Sequence, residues 1–140
     1  MRDQANDLTF RPVIVPAANT DLGTTPLVGS IIDRKGYESL TYGIVTGTLS
    51  DANATYAALL EESDASNMDG ANEVADADLI GTETAAGFDF GDDGETRKLG
   101  YIGSKRYTRL TITPTGADSG NSPITAIAVL GNPETRPASA

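Results

Sequence analysis

Apolar and polar residues alternate along this chain with the two-residue period of β-strands, and turn-forming residues separate the alternating runs. The runs that this pattern predicts as strands are Phe10–Val15, Leu27–Ile32, Ser39–Leu49, Ala54–Glu62, Arg97–Ile102, Tyr107–Thr113 and Ile124–Leu130, with a shorter one around Phe88 and Phe90. About eight short strands separated by turn signals are typical of an antiparallel sandwich. The sequence therefore predicts an all-β fold: a jelly-roll-like antiparallel β-sandwich.

The segment Ala54–Glu62 is ambiguous. Its Ala, Leu and Glu residues favour a helix, whereas its short length and strand-like neighbours favour a strand. We predict a strand.

Two runs near the C-terminus, Tyr107–Thr113 and Ile124–Leu130, are separated by turn formers over Pro114–Ser122. Strand, loop and strand in this order predict an antiparallel pair. The second run is apolar on both faces. Such a strand belongs inside a layered body or against a neighbouring subunit.

The chain of 140 residues predicts one domain with short polar ends. We expect a mobile N-terminal arm over residues 1–9, a sandwich over residues 10–131 and an extended C-terminal tail over residues 132–140. The sequence contains no run of ~20 apolar residues that would cross a bilayer. Its first ten residues lack the apolar centre of a signal peptide, so we expect a soluble protein made in the cytoplasm.

The composition removes most catalytic chemistry. The chain has no cysteine and no histidine, which excludes thiolate ligands, Cys nucleophiles and every Ser-His arrangement. Adjacent acids such as Glu61 and Glu62 point to opposite faces of a strand and cannot flank one glycosidic bond. We therefore predict no enzymatic activity, no catalytic residues and no cofactor.

Charge is unevenly distributed along the chain. The formal net charge is −10, which disfavours nucleic acid and anionic membranes as partners. Residues 61–95 hold twelve acids and no base, whereas the rest holds eight acids and ten bases. The acidic segment is either a solubilising surface loop or one half of a complementary contact with another subunit or partner. The candidate interface residues on the basic side are Lys105, Arg106, Tyr107 and Arg109.

The acidic segment also raises a calcium hypothesis, since carboxylates are the ligands of that cation. It does not match the EF-hand loop pattern, because Ala65 stands where the first Asp should be when Gly70 takes the glycine position. We therefore predict no metal site. An irregular site would draw on Asp64, Asp69, Asp76, Asp78 or Asp89.

Five phrases in order carry a family resemblance: IIDRKGYESLTYGIVTGTLSD, LLEESD, VADADLIGT, GYIGSKRYTRLTITPTG and ITAIAVLGNPETRP. Over residues 24–137 the chain resembles small virion proteins of tailed bacteriophages that are encoded beside the major capsid protein, and related proteins of gene transfer particles. The resemblance implies a capsid decoration (cement) protein on the outer capsid surface. Its partners would be the major capsid protein and copies of itself, expected as a trimer.

Two alternatives stay open. One keeps the virion but places the chain in a head-spike base, a head–tail adaptor or the tail. The other is a carbohydrate- or cell-surface-binding β-sandwich module, for which the absence of Trp is unfavourable because such sites present exposed aromatic rings.

Overall fold

The computed structural model describes residues 3–17 and 21–139. Within them the chain forms eleven strands, one 3-10 turn (Asp76–Asp78) and one single-turn helix, α1 (Glu83–Ala86). The strands are β1 (Thr9–Ile14), β2 (Leu27–Val28), β3 (Ile32–Asp33), β4 (Tyr37–Thr46), β5 (Thr55–Ser63), β6 (Asn72–Glu73), β7 (Leu79–Ile80), β8 (Phe88–Asp89), β9 (Thr96–Tyr101), β10 (Tyr107–Thr115) and β11 (Ile124–Pro133). No helix among the described residues has the length and apolar character needed to cross a membrane.

The strands form two antiparallel sheets packed as a sandwich. The five-stranded sheet has the order β1-β11-β4-β9-β7, and the six-stranded sheet has the order β2-β10-β5-β6, with β3 also on β10 and β8 also on β5. Because β2 and β3 share one edge of β10, and β6 and β8 share one edge of β5, each of these pairs fills one strand position. We number these strand positions 1 to 8 in chain order and leave out the short β7. The five-stranded sheet then has the order 1-8-3-6 and the six-stranded sheet the order 2-7-4-5, which is the strand order of a jelly roll. The predicted jelly-roll-like antiparallel sandwich is confirmed.

The predicted pairing of the two C-terminal runs is wrong. Strand β10 pairs with β5, β2 and β3, whereas β11 pairs with β1 and β4, so the two lie in different sheets. Each strand directs one apolar face into the same core, from opposite sides. The connecting loop is long enough to cross between sheets, which pack about 10 Å apart. Its path is held by Asp51, whose carboxylate accepts a hydrogen bond from the Ser119 backbone N–H at 2.8 Å.

The predicted strand Leu27–Ile32 is divided into β2 and β3 by a close backbone approach. The Gly29 N–H donates to the carbonyl of Leu110 at 2.8 Å, while the next N–H, of Ser30, donates to Val13 at 2.9 Å. A Cβ on Gly29 would lie 2.4 Å from the Leu110 oxygen. The chain changes partners here, and only glycine fits the contact.

The core lies between the sheets and is built from the inward-facing residues of both. Tyr42, Ile44 and Leu99 of the five-stranded sheet are buried against Leu60 and Leu110 of the six-stranded sheet. One buried hydrogen bond, 2.6 Å between the hydroxyls of Tyr42 and Thr108, joins the two sheets directly. The sandwich is therefore a single hydrophobic unit with a fully buried polar link across it, and a second, partly buried link joins Tyr101 of β9 to Glu62 of β5.

The remaining elements settle two local predictions. The ambiguous segment is strand β5, as predicted. Phe88 is buried in β8 and stacks on Tyr56, with ring centroids 4.8 Å apart, but β8 ends at Asp89, so Phe90 does not share a strand face with it.

The described residues near the two ends of the chain lie side by side. The Ala138 N–H donates to the Asn6 carbonyl at 2.8 Å, and Arg136 pairs with Asp7 at 3.0 Å. Strand β11 also continues to Pro133, into the predicted tail. Residues 1, 2 and 140 of the predicted arm and tail lie outside the described residues, and the mobility of the arm stays a prediction.

Candidate functional site

The candidate interface residues lie at one corner of the six-stranded sheet, where two loops meet. The turn after β3 carries Arg34, and the loop before β10 carries Lys105 and Arg106. The Arg34 N–H donates to the Arg106 carbonyl at 3.1 Å, and the Arg34 side chain donates from Nε to the Lys105 carbonyl at 2.5 Å. We call Arg34, Lys105, Arg106 and Tyr107 the basic corner; Arg109 lies two residues further along β10.

Three cations of this region are paired with acids of the same chain. Arg106 holds Asp33 through two hydrogen bonds, Nε to Oδ1 and Nη2 to Oδ2, both 2.8 Å long. The other two pairs are Lys105 with Asp64 at 2.5 Å and Arg109 with Glu61 at 3.1 Å. Part of the predicted charge complementarity is thus met within the chain. Whether these residues also form an interface stays a prediction.

Aromatic rings hold the basic side chains in place. The Arg106 guanidinium lies 4.9 Å from the centre of the Tyr107 ring, and that of Arg34 lies 5.4 Å from the centre of the Tyr101 ring. The Tyr101 hydroxyl donates to Glu62 at 2.5 Å and accepts from the Lys105 N–H at 2.9 Å. The corner is therefore an ordered Arg–Tyr cluster rather than a set of free side chains.

The electrostatics of the corner favour fixed charges over proton transfer. The hydrogen bond from Arg106 lowers the pKa of Asp33, and the hydrogen bond to Asp64 raises the pKa of Lys105. Burial, followed by the hydrogen bond to Glu62, raises the pKa of the Tyr101 hydroxyl. Each of these pKa values is shifted away from neutral pH, so the charges of the groups stay constant there, as suits a binding surface.

Side chains of the acidic segment mostly fix loops. Asp93 accepts from the Leu49 N–H at 2.7 Å, Asp92 pairs with Arg97 at 3.0 Å, and Glu83 of α1 accepts from the Leu60 N–H at 2.6 Å. Burial raises the pKa of Glu83.

The calcium hypothesis finds no ligand set. Across residues 3–17 and 21–139, no three acidic side chains converge as a metal site would require. This holds for all five candidate aspartates of the calcium hypothesis, which are Asp64, Asp69, Asp76, Asp78 and Asp89. Glu61 and Glu62 also diverge, as the sequence predicted, because Glu61 bonds Arg109 and Glu62 bonds Tyr101.

A second surface, the outer face of the five-stranded sheet, is nearly free of charge. Cross-strand register arranges its side chains in three rows: Phe10–Val129–Thr41–Gly100–Ile80, Pro12–Ile127–Gly43–Lys98 and Thr125–Val45–Thr96. Phe10 is 57% exposed, Ile80 59% and Ile127 38%. We call this surface the apolar face; Lys98 is the one charged residue in its rows.

Sequence reasoning found only part of each surface. It singled out the basic residues on β10 but missed Arg34 and Tyr101, although the turn sequence Asp33-Arg34-Lys35-Gly36 was a signal for the first. It recognised the apolar outward side of β11 but not the rows that other strands add. Those rows depend on strand order, which a single sequence does not contain.

No protein-family model matches the sequence, and no curated protein matches it. Among solved structures, the chain is similar to the PBSX exported protein XepA, with a TM-score of 0.58 and 17% identity over 100% of this chain and 42% of XepA. The chain thus spans less than half of XepA. At this identity the likeness concerns the fold alone.

Two carbohydrate-binding modules match less well. A family 35 module from an environmental isolate has a TM-score of 0.49 and 15% identity, over 89% of this chain and 78% of the module. The xylan-binding module CBM15 has a TM-score of 0.49 and 12% identity, over 96% of each chain.

Proposed function

We propose that this chain is a non-enzymatic virion protein of a tailed bacteriophage, which decorates the outer capsid surface and bridges major capsid protein subunits. The observation that carries the proposal is the basic corner. It is formed by two of the phage-like phrases, IIDRKG and GSKRYTR, which are distant in sequence and adjacent in the fold.

The physical properties of the corner suit a protein contact. Arginine and tyrosine are enriched in protein interfaces and dominate their binding energy. Arg106 and Lys105 remain 45% and 41% exposed despite their ion pairs. Since Asp33 and the Tyr107 ring already order Arg106, little conformational entropy is lost when a partner binds there.

The similarity to XepA is in keeping with this proposal but does not carry it. XepA is named a PBSX exported protein, and PBSX is a phage-like element. The decoration role is therefore argued from the sequence phrases and the corner. We also propose that the chain is made in the host cytoplasm, assembles as a homo-oligomer, and binds neither nucleic acid nor membrane, in line with its net charge of −10.

The test is binding of the purified chain to particles that lack it. We expect wild-type chain to bind the outer capsid surface in many copies, distributed over the whole shell. Arg106→Glu should weaken binding by about tenfold or more, because it repels Asp33 and reverses the charge of the corner. Arg136→Glu is the matched control, since Arg136 is also an exposed, ion-paired arginine but lies at the chain ends.

Each other outcome counts against the proposal. A few copies at one vertex would favour a spike-base, adaptor or tail role. Equal loss of binding in both variants would show that the basic corner is not part of the contact. If the chain gives no density on the particle but binds to a glycan array, the carbohydrate-binding alternative would be favoured.

A further inference from the structure

The apolar face carries a ridge and a hollow side by side. The ridge is the outward side of β11, with Ile127 and Val129. The hollow lies over Thr41 and Gly43 of β4 and Gly100 of β9, where side chains are short or missing. Beside Thr41 and Gly100 a groove of about 240 Å³ opens between Ile80 and Ile102, and its lining also includes Ser39, Glu38 and Lys98.

The hollow is built into the fold at Gly100. A Cβ at this position would lie 2.9 Å from the Cβ of Ile80, so any other residue would displace the β7 edge of the groove. At Gly43 an added Cβ would meet the Ile127 side chain at 3.6 Å, so Ile127 lies beside this glycine without filling the space above it.

We propose that the apolar face pairs with the same face of a second copy of this chain. Strand β4 is the middle strand of the five. A two-fold axis parallel to the strands and passing over β4 would place β11 of each copy over β9 of the other. Because Val129, Thr41 and Gly100 share one row, the ridge residue Val129 then enters the hollow at Gly100 of the other copy. A surface with a ridge and a matching hollow on either side of its centre is self-complementary under such an axis.

The charge distribution also favours a second copy of the chain as the partner of the apolar face. Two chains of net charge −10 repel each other, and a surface poor in acidic residues is where they can approach. The three rows contain no acid, Glu38 is the one acid in the lining of the groove, and Lys98 has no ion-pair partner among the described residues. In the pair its aliphatic stem would cover Ile127 of the other copy, while the ammonium group reaches the rim.

The size of the face is also adequate. Five strands about 4.8 Å apart and three rows about 6.8 Å apart give, with their side chains, roughly 25 by 20 Å. Each copy would therefore bury roughly 500 Å² and the pair about 1,000 Å², which is the lower bound for a specific interface. The proposal concerns the free chain in solution, so it stands or falls separately from the virion role. It competes with the trimer predicted from the sequence, and one measurement decides between them.

The first experiment is sedimentation equilibrium of wild type and two glutamate variants. We expect a wild-type dimer, and about 100-fold weaker dimerisation in Ile127→Glu, because the ridge would then bury a charge. Val28→Glu is the control, since Val28 is a 59% exposed strand residue on the other sheet. If Ile127→Glu does not fold by circular dichroism, Val45→Glu tests the same face. A wild-type monomer or trimer at tens of micromolar would overturn the proposal, as would equal effects in Val28→Glu and the face variants.

The second experiment tests the orientation of the pair. The chain has no cysteine, so single cysteines can be introduced without background. The axis places the β1 edge of one copy over the β7 edge of the other, so a short bis-maleimide should link Phe10→Cys to Ile80→Cys when the two variants are mixed. Each variant alone should give no linked dimer, because identical edges would be about 20 Å apart laterally. Efficient self-linking of Phe10→Cys would overturn the stated axis.

Discussion

The two outer faces of the sandwich differ although the strands beneath them follow the same inward pattern. On the six-stranded sheet, the outward residues include the Arg109–Glu61 pair, and the Arg106–Asp33 pair lies at its corner. On the five-stranded sheet, the corresponding positions hold Phe10, Ile127 and Val45 with a single lysine. The inward residues determine the fold, and the outward residues determine which surface another protein can cover.

Solvation explains why the difference matters. Charged pairs on a strand face are stable in water and contribute little to folding, and burying them carries a desolvation cost. Apolar side chains in water gain free energy when any partner covers them. The apolar face is therefore suited to a dry, permanent contact, and the basic corner to a polar contact that depends on salt.

The largest expected effect is the loss of stability when buried side chains beneath the two faces are shortened. It tests whether both faces share one core. Ile44 and Leu60 belong to different sheets and are fully buried. We expect Ile44→Ala and Leu60→Ala each to lower the free energy of unfolding by about 3 kcal/mol, from lost burial and the cavity left behind. Urea denaturation measures this. Val45→Ala, the outward neighbour of Ile44, is the control and should cost less than about 1 kcal/mol. Similar losses in Ile44→Ala and Val45→Ala would contradict the shared core.

A smaller effect is expected at the polar link between the sheets. Thr108→Val leaves the Tyr42 hydroxyl buried without its partner, which should cost about 1–3 kcal/mol in the free energy of unfolding. Thr113→Val is the matched control, because Thr113 is an outward, half-buried residue of the same strand. If both variants unfold at the same urea concentration, the Tyr42–Thr108 bond does not link the sheets energetically.

The sequence predicted local structure better than strand partners. The runs Tyr107–Thr113 and Ile124–Leu130 were predicted as strands and lie in β10 and β11, because strand-forming patterns are a property of neighbouring residues. The pairing of β10 with β11 was wrong, since two apolar faces meeting across a core give the same pattern as two strands in one sheet. Gly29 shows a second limit. Its contact with the Leu110 carbonyl joins residues far apart in sequence, so no local signal predicts the break in the strand.

The candidate site was predictable to a similar degree. A basic and aromatic cluster is visible in Lys105-Arg106-Tyr107, but its acidic partners Asp33 and Asp64 come from other strands and loops. Charge counting therefore did not reveal that the fold pairs these charges within the chain, and a contact of the corner with another molecule stays a prediction.

The smallest effect separates the two faces by their response to pH and salt. The pKa of Asp33 is lower in the folded chain than its ordinary value of 3.8, chiefly because Arg106 bonds the carboxylate. Its ionised form therefore contributes stability above that value, and this contribution is lost as the pH falls through the lowered pKa. In Arg106→Gln the loss of stability between about pH 5 and about pH 2 should be shallower than in wild type, as urea midpoints would show. Arg136→Gln is the control for removing a surface cation.

Salt at 1 M should flatten the pH dependence of wild-type stability in the same way, because the Arg106–Asp33 pair is exposed, and should weaken particle binding through the basic corner. Dimerisation through the apolar face should persist in that salt, since hydrophobic contact does not depend on screening; a dimer that dissociates in 1 M salt would mean that both faces bind through charge.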